Sequence, residues 1–154
     1  MESPTSVSLP VISPIISGRD FHERKPERKT AMQDTLPTPE ELDKLKDDVV
    51  ALLRDYDMLT DVCIYVNGNR YNCTPREPEG YIVEPGLDPA DYFEYVRSEG
   101  NLFAMSFEGT LNHVLNMYIG GYDTFLRSFD ALFEDLGLYY EFGDAWNLSC
   151  YPDW

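Results

Sequence analysis

Cysteine and histidine are the side chains that could give this chain thiol or metal chemistry, and it contains three cysteines and two histidines. Cys63 and Cys73 lie in DVCIYVNGNRYNC, residues 61–73, which centres on an Asn-Gly turn at 67–68, a strong hairpin signal. In that hairpin Cys63 is opposite Asn72, so the side chains of Cys63 and Cys73 point to opposite faces of the sheet. The register argues against a disulfide between them, and the absence of a CxxC pair argues against zinc.

His113 and Cys150 could be drawn as the base and the nucleophile of a thiol enzyme. His113 lies in LNHVLN, between apolar positions of a predicted helix, which is more typical of a packed histidine than of a catalytic base. Cys150 falls on the apolar face of a predicted hairpin, where nothing nearby favours a thiolate. The sequence therefore predicts no catalytic residue, no metal and no cofactor. A small enzyme or ligand-binding domain built from His113, Glu108 and nearby tyrosines stays as one alternative.

Carboxylates are the strongest chemical signal in the chain. There are 28 acidic and 12 basic residues, for a net charge of −16. Residues 1–31 contain five basic and four acidic residues, so residues 32–154 carry a net charge of −17. Such a surface repels nucleic acid and anionic membranes and attracts basic proteins. We therefore expect a basic protein as the partner, with no direct binding to nucleic acid or membrane.

Two segments concentrate the negative charge. Residues 77–99 contain seven acidic residues against one basic residue, and a predicted helix over 122–136 carries acids opposite its phenylalanines. Carboxylates three or four positions apart on a helix are separated by about 4.5–6 Å along its axis, comparable with one or two phosphate steps of about 3.4 Å along a DNA strand. The residues predicted to bind the partner are Glu84, Asp88, Asp91, Tyr92, Glu94, Tyr95, Glu99, Asp123, Asp130 and Glu134.

Hydrophobic periodicity predicts the elements that position these side chains. A capping sequence at 38–41 begins a predicted amphipathic helix over 39–57. In the last hairpin, a three-residue loop at 143–145 is predicted to pair Phe142 with Trp146. The other predicted elements are strands flanking 67–68, strands around 81–84 and over 102–107, and short helices at 88–97 and 110–118.

Together these elements predict an α+β fold, with a mostly antiparallel sheet and two main amphipathic helices packed on one face. Residues 1–37, rich in Ser and Pro, are predicted to form a disordered tail, and residues 38–154 a single domain. The chain start lacks the basic n-region of a signal peptide, and three cysteines are an odd number. Both features favour a cytoplasmic protein.

In composition, residues 32–154 resemble the small acidic DNA-mimic inhibitors of phages and mobile elements, of the antirestriction and anti-CRISPR type. The resemblance rests on acidity and interleaved tyrosines, without a shared motif. It implies a non-enzymatic inhibitor that binds a basic nucleic-acid-binding protein, such as a CRISPR or restriction nuclease. An immunity protein or antitoxin that neutralises a basic toxin would use the same electrostatics and stays as an alternative.

Overall fold

The computed structural model describes residues 35–88 and 100–153. Within these ranges the chain forms a six-stranded antiparallel sheet and three helices, which confirms the predicted α+β class. The predicted tail, up to residue 34, and nearly all of the predicted helix at 88–97 lie outside the described residues. The helices are α1 (Pro39–Asp55), α2 (Gly109–Leu115) and α3 (Asp123–Glu134); the strands are β1 (Val62–Val66), β2 (Asn69–Cys73), β3 (Tyr81–Glu84), β4 (Phe103–Phe107), β5 (Leu138–Asp144) and β6 (Asn147–Pro152).

The strands lie in the order β3-β2-β1-β4-β6-β5, and each pair of neighbours is antiparallel. Because strand direction alternates, the connections gather at the two ends of the sheet. The Asn-Gly turn at 67–68 lies at one end. The opposite end, which we name the loop end, is formed by residues 55–61, 74–80, 108–123 and 143–146.

α1 begins with a complete capping box. The Thr38 side chain accepts a hydrogen bond from the Glu41 backbone N–H, and Glu41 in turn accepts one from the Thr38 N–H. Leu45, Val49 and Leu53 then recur at helical spacing and are almost completely buried against the sheet. The local sequence thus fixes both where the helix begins and which side of it faces the core.

α3 is held to the sheet by three phenylalanines at positions 125, 129 and 133, each at most 1 % exposed. The Phe125 ring lies 5.1 Å from the Tyr56 ring at the end of α1, and the Phe133 ring lies 5.6 Å from Phe103 of β4. Both contacts are edge-to-face, the arrangement that aromatic quadrupoles favour. α1 and α3 therefore share one core on one face of the sheet.

The β1–β2 hairpin has the register predicted from its turn, whereas the β5–β6 hairpin does not. Cys63 pairs with Asn72 as predicted, around an Asn67-Gly68 turn in which both residues have positive φ. In the β5–β6 hairpin, however, Phe142 pairs with Leu148, so the predicted register is wrong by two residues. A two-residue turn at 145–146 and a bulge near Gly143 replace the predicted loop. Leu138, Leu148 and Cys150 are still buried in the core, whereas Phe142 is exposed.

The outer face of the sheet carries a much smaller apolar cluster. Tyr65 and Ala104 are buried there, with Cys63 and Leu87 packed beside them. The Arg70 guanidinium lies over the Tyr65 ring, 5.5 Å from its centre. Small and polar side chains on this face confine most apolar burial to the face that α1 and α3 cover.

Lys46 of α1 is a buried cation, 2 % exposed, in a pocket of aromatic and carboxylate groups. Its ammonium lies 4.5 Å and 4.4 Å from the ring centres of Tyr71 and Tyr81. It donates hydrogen bonds to the Tyr81 hydroxyl at 2.9 Å and to Asp47 at 2.7 Å, and Asp43 lies 3.4 Å away. Burial alone would lower the pKa of Lys46, but these hydrogen bonds and carboxylates raise it above its ordinary value.

We expect Lys46→Met to lower the free energy of unfolding by about 1.5 kcal/mol, because it removes charge-assisted hydrogen bonds and leaves the Tyr81 hydroxyl without one. Lys44→Met is the matched control: Lys44 is exposed and pairs only with Asp48, so a change below about 0.5 kcal/mol is expected. Urea unfolding measures both values.

The stability difference between wild type and Lys46→Met should depend on pH in one direction only. A raised pKa in the folded state means that the stabilisation is complete below the ordinary value of 10.5 and is lost as the pH rises through the folded pKa. The difference between wild type and Lys46→Met should stay constant from about pH 6 to about pH 9 and shrink only above about pH 10.5. A difference that already shrinks between pH 7 and pH 9 would contradict the raised pKa.

Candidate functional site

The loop end combines many carboxylates with exposed apolar side chains. Its segments contain one basic residue, Arg76, and none of its carboxylates forms an ion pair with another described residue. All of these carboxylates except that of Glu77 belong to exposed residues. They are Asp55, Asp57, Asp61, Glu77, Glu79, Glu108, Asp123 and Asp144.

The loop at 74–80 is fastened to α1 by Arg54. The Arg54 guanidinium donates hydrogen bonds to the carbonyl oxygens of Glu77 at 2.9 Å and Pro78 at 3.1 Å. At Gly80, φ is +95° and an added Cβ would lie 2.5 Å from the Val50 side chain, so only glycine fits this approach. The exposed Arg54 guanidinium thus holds a loop, and it does not balance the carboxylates of the loop end by direct pairing.

The other loops of this end are joined by backbone and amide hydrogen bonds. The Glu108 N–H donates to the Asp61 carbonyl at 3.0 Å, which holds the start of α2 beside the start of β1. Asn112 of α2 and Asn116 at the C-cap of α2 both donate side-chain hydrogen bonds to the Ala145 carbonyl, at 2.8 Å and 2.6 Å. Carboxylates from distant parts of the sequence are thereby held at one end of the sheet.

The C-termini of α1 and α2 both lie at the loop end and share one motif. In each, a residue other than glycine has the left-handed backbone conformation. At the end of α2, Met117 has φ +64°, its N–H donates to the Val114 carbonyl, and the Tyr118 N–H donates to the His113 carbonyl. Asp57 has φ +60° after α1, with equivalent hydrogen bonds. These are Schellman motifs, in which glycine is the usual residue at this position.

Three consecutive apolar side chains project from the loop after α2, and we name residues 117–119 the apolar tip. Met117 is 70 % exposed, Tyr118 65 % and Ile119 42 %. The Tyr118 ring lies 6.1 Å from the His113 ring, beside the helix end that fixes the loop. Exposed methionine and aromatic side chains surrounded by charge are typical of protein-binding surfaces.

Five of the ten residues predicted to bind a partner can be placed; the other five, Asp91, Tyr92, Glu94, Tyr95 and Glu99, lie outside the described residues. Glu84 is on the edge strand β3, where its carboxylate pairs with Arg70 at 3.1 Å. Asp88 is exposed a few residues further along the chain.

The three predicted residues of α3 lie toward the other side of the sheet. Asp123 is exposed in the first turn of α3, where a carboxylate favours the helix dipole. Asp130 and Glu134 are half-buried, and Asp130 accepts a 2.5 Å hydrogen bond from the Tyr140 hydroxyl. β3 and β5 are five strand spacings apart, about 24 Å, so the structure does not bring Glu84 together with the α3 carboxylates near β5.

Sequence reasoning missed most of the loop end. Its carboxylates come from four segments that are distant in the sequence, and only the order of the strands brings those segments together. The apolar tip was missed because the helix was predicted to run to about residue 118, which would leave Met117 inside it. Leu111, Val114, Leu115 and Tyr118 keep the helical period, so the apolar pattern does not mark the end of the helix.

The thiols and the exposed histidine do not form a catalytic arrangement. Burial raises the pKa of Cys73 to about 12 and that of Cys150 well above the ordinary value, so both are protonated at neutral pH. Cys150 lies in the core opposite Phe103 and Tyr140, whereas His113 is exposed on α2 at the loop end. Within residues 35–88 and 100–153, no group of three or more potential metal ligands is found.

Comparison of the chain with protein-family models, with curated proteins and with solved structures finds no match in any of the three. Of the helices that the structure describes, none has the length and apolar character needed to cross a membrane.

We expect Met117→Gly to raise the free energy of unfolding by about 0.5–1 kcal/mol, because glycine removes the strain of a left-handed conformation. Ile119→Gly is the matched control in the same loop: residue 119 lacks positive φ, so glycine there should lower the stability by a similar amount through the entropy of the unfolded chain. Thermal and urea unfolding test the opposite signs, and destabilisation by Met117→Gly would contradict the strain.

Proposed function

We propose that this protein is a non-enzymatic inhibitor that binds the basic, nucleic-acid-binding surface of another protein through its acidic loop end. The observation that carries the proposal is the collection of eight carboxylates at the loop end without direct ionic partners among the described residues. A nucleic-acid-binding cleft is a surface with the opposite charge, and it is built to accept closely spaced anions.

The charge balance of the described chain supports this proposal. Residues 35–88 and 100–153 contain 20 acidic and six basic residues, a net charge of −14. Lys44, Lys46 and Arg70 form local ion pairs, and Arg54 binds backbone carbonyls. Lys44, Lys46 and Arg70 are thus engaged away from the loop end, and Arg54 holds the 74–80 loop without an ion pair to the loop-end carboxylates, so the loop end keeps an excess of negative charge.

The loop end is also rigid enough to present its charges in a fixed pattern. The backbone of Asp57 is held by a helix-end motif, and the Glu108 N–H is bonded to the Asp61 carbonyl. Asp144 adjoins a turn that is held by Asn112 and Asn116. A backbone that is ordered before binding loses less entropy on association. A protein that mimics nucleic acid benefits from such order, because the phosphate groups that it replaces occur at regular spacing.

We expect the protein, immobilised on beads, to capture basic nucleic-acid-binding proteins from a lysate of the source cells. Capture should fall steeply between 50 mM and 500 mM salt, because charged contacts are screened, and duplex DNA should compete for the same site. Binding that duplex DNA does not displace would contradict the nucleic-acid mimic. A dedicated toxin as the sole salt-sensitive partner would favour an immunity protein.

Two variants with equal changes of charge locate the surface. The first neutralises the loop end with Asp57→Asn, Asp61→Asn, Glu108→Gln and Asp144→Asn; asparagine tolerates the left-handed conformation of residues 57 and 61.

The second variant neutralises the surface predicted from the sequence, with Glu84→Gln, Asp88→Asn, Asp91→Asn and Glu94→Gln. With the captured protein purified, we expect the loop-end variant to weaken binding at least about tenfold and the second variant to change it less than about threefold. Loss in the second variant alone would overturn the loop-end assignment, and equal losses would indicate attraction by net charge only.

A further inference from the structure

The apolar tip is an unusual feature on so acidic an end. Met117, Tyr118 and Ile119 are consecutive, all are substantially exposed, and Met117 occupies a left-handed position where glycine would relieve strain. Non-glycine residues in that conformation persist only where surrounding structure imposes them, and they concentrate at functional sites. Both exposure and strain point to a role outside the folding of this chain.

The tip is held in one conformation before any partner arrives. The Met117 N–H donates to the Val114 carbonyl at 3.1 Å and the Tyr118 N–H to the His113 carbonyl at 2.8 Å. Immediately before the tip, Asn116 donates hydrogen bonds to the carbonyls of Asn112 at 2.8 Å and Ala145 at 2.6 Å. The loop is therefore fixed to both α2 and the β5–β6 turn, which lowers the entropy lost when its side chains are bound.

Carboxylates also lie on the segments that adjoin the tip. Glu108 immediately precedes α2, Asp123 begins α3 after the loop, and Asp144 lies beside the turn residue that Asn116 contacts. An apolar centre with a charged rim is the usual anatomy of a protein-binding surface, and tyrosine is enriched among the residues that contribute most to binding.

We infer that the apolar tip is the anchor of the interface: Met117 and Tyr118 enter an apolar recess of the partner, and that recess is bordered by lysine or arginine. This inference rests on the proposed function and adds what the partner must offer besides positive charge. The rim carboxylates meet the basic side chains, which gives orientation and rate of association, while burial of the tip gives residence time.

Charge selects this occupant over the other surfaces that an apolar tip could contact. A second copy of the chain would bring a second net charge of −16 against the first, and an anionic membrane would repel the same rim. A basic protein surface both neutralises the rim and covers the tip. The net charge of the chain therefore commits the tip to a basic partner.

Synthetic peptides of 12 residues, displayed on an array, serve as probes of defined chemistry. One set places Leu, Phe or Met between four flanking Lys or Arg residues; a second replaces the central apolar residue with Ser, and a third replaces Lys and Arg with Gln. We expect the wild-type protein to bind the first set about tenfold more tightly than the second, and the third not measurably.

The tip variant, Met117→Gly with Tyr118→Ser, separates this inference from the proposed function. It should bind the first and second peptide sets equally while still preferring both over the third. The loop-end neutralised variant should lose that preference for basic peptides. Circular dichroism and thermal unfolding confirm that the tip variant is folded, and Met117→Gly relieves strain.

Each failure has a distinct signature. If the wild type binds the apolar and serine peptides equally but prefers both over the glutamine set, the anchor is wrong and the acidic binding function stands. If it does not prefer basic peptides, the proposed function fails. A concentration-dependent dimer of the wild type in 1 M salt that the tip variant abolishes would overturn the inference by showing that a second copy covers the tip.

Discussion

Phe125, Phe129 and Phe133 hold α3 against a sheet that has one strongly apolar face, and the placement of the other segments follows from this packing. Each buried phenylalanine contributes about 2–3 kcal/mol to folding through loss of apolar surface from water. Once α1 and α3 cover that face, the remaining connections of an antiparallel sheet gather at its two ends. Carboxylates in those connections are thereby concentrated into two charged ends and kept away from the core, where an unpaired charge would be strongly destabilising.

Lys46 shows what this chain requires of a charge that is buried. Its ammonium is bonded to Asp47 and Tyr81 and faces two aromatic rings, so every side of the pocket favours the cation. The exposed carboxylates of the loop end have no such compensation among the described residues. Their mutual repulsion is tolerated because water screens it, and it is relieved most when a surface of opposite charge displaces that water.

How much could be predicted depended on whether a feature is encoded locally. The capping box fixed the start of α1, and the Asn67-Gly68 turn fixed the register that separates Cys63 from Cys73. The β5–β6 register was missed because alternation alone does not reveal a bulge, which shifts pairing without changing the buried face. Most of the loop end, apart from Asp123, could not be predicted, since its residues become neighbours only through the strand order. Asp130 makes the same point: its position on the helix suggested an outward carboxylate, and the distant Tyr140 turned it into a hydrogen-bond acceptor.

The high exposure of Met117 has a chemical consequence of its own. An accessible thioether is open to oxidants, and its sulfoxide is polar and chiral. Oxidation would leave the carboxylates, the sheet and the helix-end hydrogen bonds unaltered, because the sulfur lies outside all of them. It would, however, make the surface of the tip, which we propose a partner covers, more polar. Oxidation would then weaken the proposed complex while the folded protein persisted, and methionine sulfoxide reductase would restore the original surface.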